Sequence, residues 1–197
     1  MRKQKALSIY CKVREFSKLG KNNLKRWVKL ESKLVYKSEY FSVFSDMIEI
    51  PNGSKLTYEW FSSPDFCIIV PLFKDRFVMI ENYRYPADRY SLEFPAGHLE
   101  EGEDIFQAAK RELLEETGYE AKQFKYLGWY YVSSRSLQKG HVFIAKELTK
   151  TKTNREPSEL QRIKIVSERY ILSALRTNRI THAATIIAFA FYKNLVI

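Results

Sequence analysis

Carboxylates are concentrated in the segment GHLEEGEDIFQAAKRELLEETGYE, which runs from Gly97 to Glu120 in a chain of 197 residues with a formal net charge of +10. Clustered carboxylate oxygens suit a hard divalent cation such as Mg²⁺, which commonly links protein carboxylates to the phosphates of a substrate. A positive overall field would attract such a substrate. The alternative is an ordinary surface helix whose acidic side chains are solvated.

A helix over residues 104–117 would direct these acids inward. At about 100° per residue, Glu112 and Glu116 continue an apolar stripe, and Glu115 lies beside them in the same sector. The stripe is formed by Ile105, Ala108 and Ala109. Like charges four residues apart, and acids at the negative end of a helix dipole, are unfavourable. Lys110 and Arg111 offer only part of the compensation, so the pattern predicts a bound cation.

The spacing of fixed residues points to a known family. Gly97 is followed by five residues, Glu103, seven residues and then RELLEETGY, which begins at Arg111. This arrangement resembles the signature of Nudix hydrolases at every fixed position. Only Tyr119 departs from it, as an aromatic residue where an aliphatic one is usual.

Flanking segments resemble one branch of that superfamily, the ADP-ribose pyrophosphatases and nucleoside diphosphate sugar hydrolases. They are RWVKLES at 26–32, YRYP at 83–86, SLEFPAG at 91–97 and SERYILSALRTNRITHAATIIAF at 167–189. The resemblance implies an α+β fold, an α/β/α sandwich with a mixed sheet in which the signature forms a loop, a helix and a second loop. It also implies a homodimer with exchanged N-terminal strands.

The implied activity is Mg²⁺-dependent hydrolysis of a diphosphate linked to a sugar, with ADP-ribose giving AMP and ribose 5-phosphate; Mn²⁺ is a possible substitute. By resemblance, the metal ligands are Glu112, Glu116, Glu115 and the backbone carbonyl of Ala96. Glu115 and Glu116 also count as catalytic residues. Glu103 and Arg111 are expected to hold the loop and the helix in place.

Four further residues are substrate-binding candidates by the same resemblance. Arg84 resembles an arginine that grips the diphosphate, with a surface ion pair as the alternative. Glu93 would support the metal or hold a loop. Trp27 resembles an aromatic residue that stacks on the nucleobase from the dimer partner, with a place in the dimer core as the alternative. Tyr58 is a second stacking candidate.

A carboxylate that binds no metal is needed to activate the attacking water. The polar loop TKTKTNREPSE, residues 149–159, contains two candidates. The resemblance favours Glu159, at the end of the loop next to a predicted strand. Glu156 is the rival.

Composition and charge define the setting of these residues. Residues 1–25 contain eight Lys or Arg and one acid, and we expect a solvated basic arm rather than a nucleic-acid site. Residues 1–50 are predicted to form this arm and a strand-rich dimerisation segment, and 51–197 the hydrolase domain. No apolar run is long enough for a membrane span, and no signal-peptide core follows the first residues. The cysteine pattern favours a reducing, cytoplasmic compartment.

Two alternatives to the ADP-ribose assignment remain. The segment VSSRSLQKG, residues 132–140, has no proline where ADP-ribose enzymes usually carry one. This predicts a more flexible loop and admits a hexose substrate such as GDP-mannose. The other alternative is a non-catalytic regulator that senses ADP-ribose and binds nucleic acid. The complete set of signature acids argues against it.

Overall fold

The computed structural model describes residues 25–151 and 162–194. They form two compact units. One comprises Ser45–Tyr58 and the described residues up to Lys33, and the other comprises Leu34–Phe44 and the described residues from Glu59 onwards. Residues 1–24 of the basic arm lie outside the described residues. The proposed boundary between residues 50 and 51 stays a prediction.

Three N-terminal strands form a separate sheet in the order β1-β2-β3. Their bounds are β1 Val28–Lys37, β2 Ser42–Glu49 and β3 Lys55–Ser62. The prediction that residues 26–50 are rich in strands is confirmed. The turn between β2 and β3 contains Gly53 with a φ of 85°, a conformation that glycine adopts without steric cost.

Seven further strands form the main sheet. They are β4 Phe66–Phe73, β5 Arg76–Arg84, β6 Arg89–Glu93, β7 Ala96–His98, β8 Tyr119–Tyr131, β9 Lys139–Lys150 and β10 Arg162–Val166. The strand order is β10-β5-β4-β9-β8, with β6 paired to β5 and β7 paired to β4. β4 runs parallel to β9 and antiparallel to β5 and β7. The sheet is therefore mixed, as predicted.

Three α-helices complete the described fold, and the helix predicted over residues 104–117 is confirmed. They are α1 Ile105–Thr117, α2 Glu168–Arg176 and α3 Ala183–Tyr192. α1 begins after Asp104, whose side chain accepts a hydrogen bond from the backbone N–H of Phe106 at 2.9 Å, the standard use of an acidic N-cap. It ends at Gly118, with a φ of 71°. None of the helices in the described residues is long and apolar enough to cross a membrane.

The side chains of β4 alternate between two hydrophobic cores, one on each face of the main sheet. Ile68 and Val70 pack in a core to which α2 and α3 contribute. Cys67 and Ile69 pack in a second core, to which α1 contributes. This alternation is what a fully buried strand requires. It places α1 on one face of the sheet and α3 on the other, which gives the predicted α/β/α layers.

Candidate active site

Two carboxylates of α1 face the interior. Glu112 and Glu116 are 9% and 8% exposed, which confirms the prediction that they continue the apolar stripe. Glu115 differs, because it lies on the exposed part of the helix. The buried residues of α1 extend from Ala108 to Thr117 around one side. At about 100° per residue, Glu115 falls just beyond the edge of this buried side of the helix. The prediction that Glu115 faces inward is therefore wrong.

The backbone of β7 lies directly against these two carboxylates. The N–H of Ala96 donates a hydrogen bond to Oε2 of Glu116 at 2.8 Å. A Cβ added to Gly97 would stand 1.9 Å from Oε1 of Glu112. A side chain at position 97 would therefore displace the Glu112 carboxylate, which occupies that space. The glycine at the start of the signature and the glutamate fifteen residues later form one packed contact.

Arg111 connects the acids around the helix. Its guanidinium pairs with both carboxylate oxygens of Glu103 at 3.0 Å and donates to the carbonyl of His98 at 3.1 Å. Nη1 donates to Glu112 at 2.7 Å and to Glu115 at 3.1 Å. Arg111 therefore compensates more of the negative charge than the sequence pattern predicts, because a guanidinium has five donors and can serve several acceptors at once. These contacts hold the loop and the helix together, the role expected for Glu103 and Arg111.

The electrostatics of the acids follow from these contacts. Hydrogen bonds from Arg111 lower the pKa of Glu103 below its ordinary value. Burial raises the pKa of Glu112, the charges of Glu115 and Glu103 act in the same direction, and Arg111 opposes them. A buried carboxylate with only part of its charge compensated is a suitable ligand for a cation.

The donor chemistry fits a hard metal ion. Within residues 25–151 and 162–194, no three His, Cys, Asp or Glu side chains are arranged to hold a metal by themselves. Mg²⁺, however, is usually held by one or two protein carboxylates, with water and substrate phosphates at its other positions. Glu112 and Glu116 supply such a pair. In this structure Glu115 pairs with Arg111 instead.

Arg84, the last residue of β5, and Glu93, the last residue of β6, form an ion pair along the face of these two antiparallel strands. Arg84 Nε donates to Glu93 Oε1 at 2.9 Å, and Nη2 donates to Oε2. The Glu93 side chain is 1% exposed and that of Arg84 is 47% exposed. The ion pair raises the pKa of Arg84, and the charge of Glu116 adds to this effect. Arg84 therefore lies within electrostatic reach of the α1 carboxylates.

One further contact of Glu93, and the cluster to which it belongs, could not be predicted from the sequence. His182 Nδ1 lies 3.4 Å from Oε2 of Glu93 and 3.1 Å from Oγ1 of Thr185. The Thr185 hydroxyl in turn accepts a hydrogen bond from the backbone N–H of Phe94 at 3.1 Å. No local sequence pattern predicts this cluster, because His182 and Glu93 are separated by 89 positions in the chain.

Two of the remaining candidates belong to the smaller compact unit, and two lie outside the described residues. In the smaller unit the rings of Trp27 and Tyr58 meet edge to face, with centroids 6.0 Å apart, and Trp27 is 56% exposed. Both water-activating candidates, Glu159 and Glu156, lie outside the described residues.

Hydrogen bonds connect the segment at 132–140 to neighbouring parts of the chain, and its greater flexibility stays a prediction. Arg135 Nη1 donates to the carbonyl of Glu59 at 2.7 Å, and the Arg135 carbonyl accepts from Phe61 N at 2.9 Å. Gln138 Nε2 donates to the carbonyl of Pro64 at 2.6 Å. These side-chain and backbone hydrogen bonds hold the segment to residues 59–64, although it contains no proline.

Comparisons with known proteins agree with this arrangement. The NUDIX domain family matches residues 63–187. The chain is 32% identical over 144 residues to an ADP-ribose pyrophosphatase of Bacillus subtilis, which covers 70% of this chain and 78% of that protein. It is 33% identical over 134 residues to a methanol dehydrogenase activator of Bacillus methanolicus, covering 67% and 71% respectively. A crystal structure of an ADP compounds hydrolase is similar with a TM-score of 0.77 at 25% identity, covering 88% of this chain and 95% of that one.

These matches confirm the predicted superfamily, branch and class of enzyme, a pyrophosphohydrolase similar to the ADP-ribose pyrophosphatases. The matched domain contains the whole signature, from Gly97 to Tyr119, and both residues of the Arg84–Glu93 ion pair. The chain belongs to the Nudix family.

Proposed function

We propose that this enzyme hydrolyses the diphosphate linkage of ADP-ribose to give AMP and ribose 5-phosphate. The observation that carries the proposal is the pair of buried carboxylates, Glu112 and Glu116, packed against the backbone of Ala96 and Gly97. The choice of ADP-ribose is supported by similarity to the ADP-ribose pyrophosphatase of Bacillus subtilis over most of both chains.

Mg²⁺ is the proposed metal, with Mn²⁺ as a substitute. Glu112 and Glu116 would hold it together with the carbonyl of Ala96, and Glu115 would join them by leaving Arg111. A bound divalent ion would activate water and neutralise charge on the phosphate oxygens. Arg111 keeps Glu112 in place through a 2.7 Å hydrogen bond and so limits the cost of burying a negative charge.

Arg84 is proposed to grip the diphosphate. Glu93 binds Nε and Nη2, so the guanidinium keeps donors for a ligand on its other edge. Half of the side chain is exposed, which allows a phosphate to approach. A guanidinium with a raised pKa stays cationic under all conditions of the reaction, and its planar fork suits two phosphate oxygens.

Glu159 is proposed as the residue that orients and deprotonates the attacking water, with Glu156 as its rival. The α1 carboxylates are poor free bases because they bind metal or Arg111, so an acid from another segment is needed. The predicted loop began at Thr149, but Thr149 and Lys150 belong to β9, and the rest of the segment lies between β9 and β10 in the chain. A polar connection of this kind suits a segment that closes over bound substrate.

A homodimer with exchanged N-terminal strands is proposed as the active assembly, with Trp27 and Tyr58 stacking on the nucleobase. Every residue of β1 is exposed, and its apolar side chains are about half exposed in this chain. These apolar side chains are Val28, Leu30, Leu34, Val35 and Tyr36. Apolar area of this kind favours association with a second copy. Light scattering should show a dimer at assay concentration; a fully active monomer would contradict this part of the proposal.

A hydrolysis panel tests the substrate. The purified chain is incubated with Mg²⁺ and ADP-ribose, GDP-mannose, UDP-glucose, NADH or a diadenosine polyphosphate, and the products are identified by mass. We expect the highest kcat/KM for ADP-ribose. A higher value for GDP-mannose would make the hexose alternative correct. Binding of ADP-ribose without turnover of any compound would favour a regulator.

A further inference from the structure

The C-terminal segment from Arg179 to Thr185 holds three consecutive residues at the end of β6. The N–H of Leu92 donates to the carbonyl of Arg179 at 3.3 Å. His182 reaches the carboxylate of Glu93, and Thr185 accepts from the N–H of Phe94. The two chain neighbours of Glu93 are thus held by hydrogen bonds, and its own side chain contacts His182.

We propose that His182 is a positioning residue, which acts through Glu93 to orient the Arg84 guanidinium toward the substrate diphosphate. This inference rests on the proposed function, because it takes Arg84 as the residue that binds the diphosphate. His182 is placed at the N-cap of α3 but makes no side-chain capping hydrogen bond. Its ring is therefore available for a different task from the usual one at that position.

Nδ1 of His182 faces two polar side chains. It lies 3.4 Å from Oε2 of Glu93 and 3.1 Å from Oγ1 of Thr185. We assign the tautomer with the proton on Nδ1, because it puts a donor rather than a lone pair beside a carboxylate that is 1% exposed. Burial lowers the pKa of His182, and the nearby Arg84 charge acts in the same direction against the opposing effect of Glu93. The ring therefore supplies a neutral donor and leaves Arg84 as the cationic partner of Glu93.

His182 therefore acts by fixing the position of Glu93, which in turn fixes Arg84, and it transfers no proton. Oε2 of Glu93 contacts Arg84 Nη2 and lies nearest to His182, while Oε1 accepts from Arg84 Nε. Fixing Oε2 sets the plane of the carboxylate, and this plane sets the orientation of the guanidinium that pairs with it edge to edge. A half-exposed Arg84 without this support would sample other rotamers and bind the diphosphate less often in the right orientation.

Two substitutions at position 182 distinguish the effect of the hydrogen-bond donor from the effect of side-chain size. His182→Asn places Nδ2 where the imidazole has Nδ1, so the donor is kept. His182→Phe keeps a ring of similar size and removes the donor. For ADP-ribose hydrolysis with Mg²⁺ we expect kcat/KM to fall about tenfold in His182→Phe, mostly through KM, and to stay within about twofold in His182→Asn. Should His182→Phe fail to fold, His182→Ala carries the same expectation.

A double-mutant cycle with Arg84→Gln tests whether the effect passes through the guanidinium. In the Arg84→Gln background, His182→Phe should change kcat/KM by less than about twofold, because the group that it positions is gone. A further tenfold loss in that background, or equal losses in His182→Phe and His182→Asn, would overturn the inference and assign His182 a purely structural role. Wild-type kcat/KM in Arg84→Gln itself would instead overturn the proposed role of Arg84, and the inference with it.

Discussion

Replacing Gly97 with alanine should move the Glu112 carboxylate from its site while leaving the fold intact. The new Cβ would lie 1.9 Å from Oε1, 2.0 Å from Cδ and 2.3 Å from Oε2 of Glu112. Gly97 is not among the described residues with positive φ, so its backbone conformation accepts alanine. The obstructing group is the end of a flexible side chain. The carboxylate is therefore expected to yield rather than the backbone.

The size of the effect follows from these distances. Non-bonded heavy atoms rest about 3.5 Å apart, so the carboxylate has to retreat by more than about 1 Å. A misplacement of about 1 Å at a catalytic group lowers the rate about 10²-fold. We expect kcat for ADP-ribose at saturating Mg²⁺ to fall by about that factor. The melting temperature should change by less than about 3 °C, which corresponds to about 1 kcal/mol in a chain of this size.

A second substitution in the same contact provides the control. Glu112→Asp shortens the acid by one methylene and makes room for the alanine at position 97. On its own this change should impair the enzyme, yet in the Gly97→Ala background it should recover about tenfold of the lost kcat, because the two changes act on one contact. Unchanged kcat in Gly97→Ala would refute the reasoning that Glu112 must occupy this position. A large fall in melting temperature would show that the backbone, and not the carboxylate, absorbs the clash.

Two further predictions concern acids outside the buried pair. Glu159→Gln should lower kcat by about 10²–10⁴ with KM nearly unchanged, the usual range for a general base, whereas Glu156→Gln should have little effect; exchanged phenotypes would make Glu156 the base, and two active variants would make Glu115 the next candidate. Arg111 lowers the pKa of Glu103 from its ordinary value of 4.5, so their ion pair stabilises the fold above that pH and ceases to do so as the pH falls through the lowered pKa. The melting temperature of wild type should exceed that of Glu103→Gln at pH 7, and the difference should disappear as the pH falls through the lowered pKa of Glu103; a difference that does not change with pH would contradict this.

The sequence predicted α1 well because the determinants of that helix are local. Asp104 caps its first turn, Gly118 ends it in the left-handed conformation, and the period of the apolar stripe places Glu112 and Glu116 inside. The strands β6 and β7 were not predicted. They have five and three residues, too few for an alternating pattern to be visible.

The parts of the site that the sequence could not reveal depend on contacts between distant segments. The antiparallel register puts Arg84 opposite Arg89 and Glu93 opposite Ile80, so Arg84 and Glu93 lie on the same face of the strand pair but four positions apart. Only the length of the two side chains brings their charged groups together. His182 joins them only because the segment before α3 crosses the end of β6. The exposure of Glu115 depends on which side of α1 the sheet covers. Helical periodicity alone predicts the edge of this buried side only to within one residue.

The measurement that tests the account most directly is the Mg²⁺ dependence of ADP-ribose hydrolysis in wild type and in Glu116→Gln. The substitution keeps the shape of the side chain and an oxygen that can accept from Ala96 N, so the fold should persist. Wild type should release AMP and ribose 5-phosphate only when a divalent metal is present. In Glu116→Gln, kcat should be lower by at least about 10³-fold, and the enzyme should require more Mg²⁺. Near-normal turnover in Glu116→Gln, or hydrolysis by wild type in excess EDTA, would contradict the claim that the buried carboxylates of α1 bind the catalytic metal.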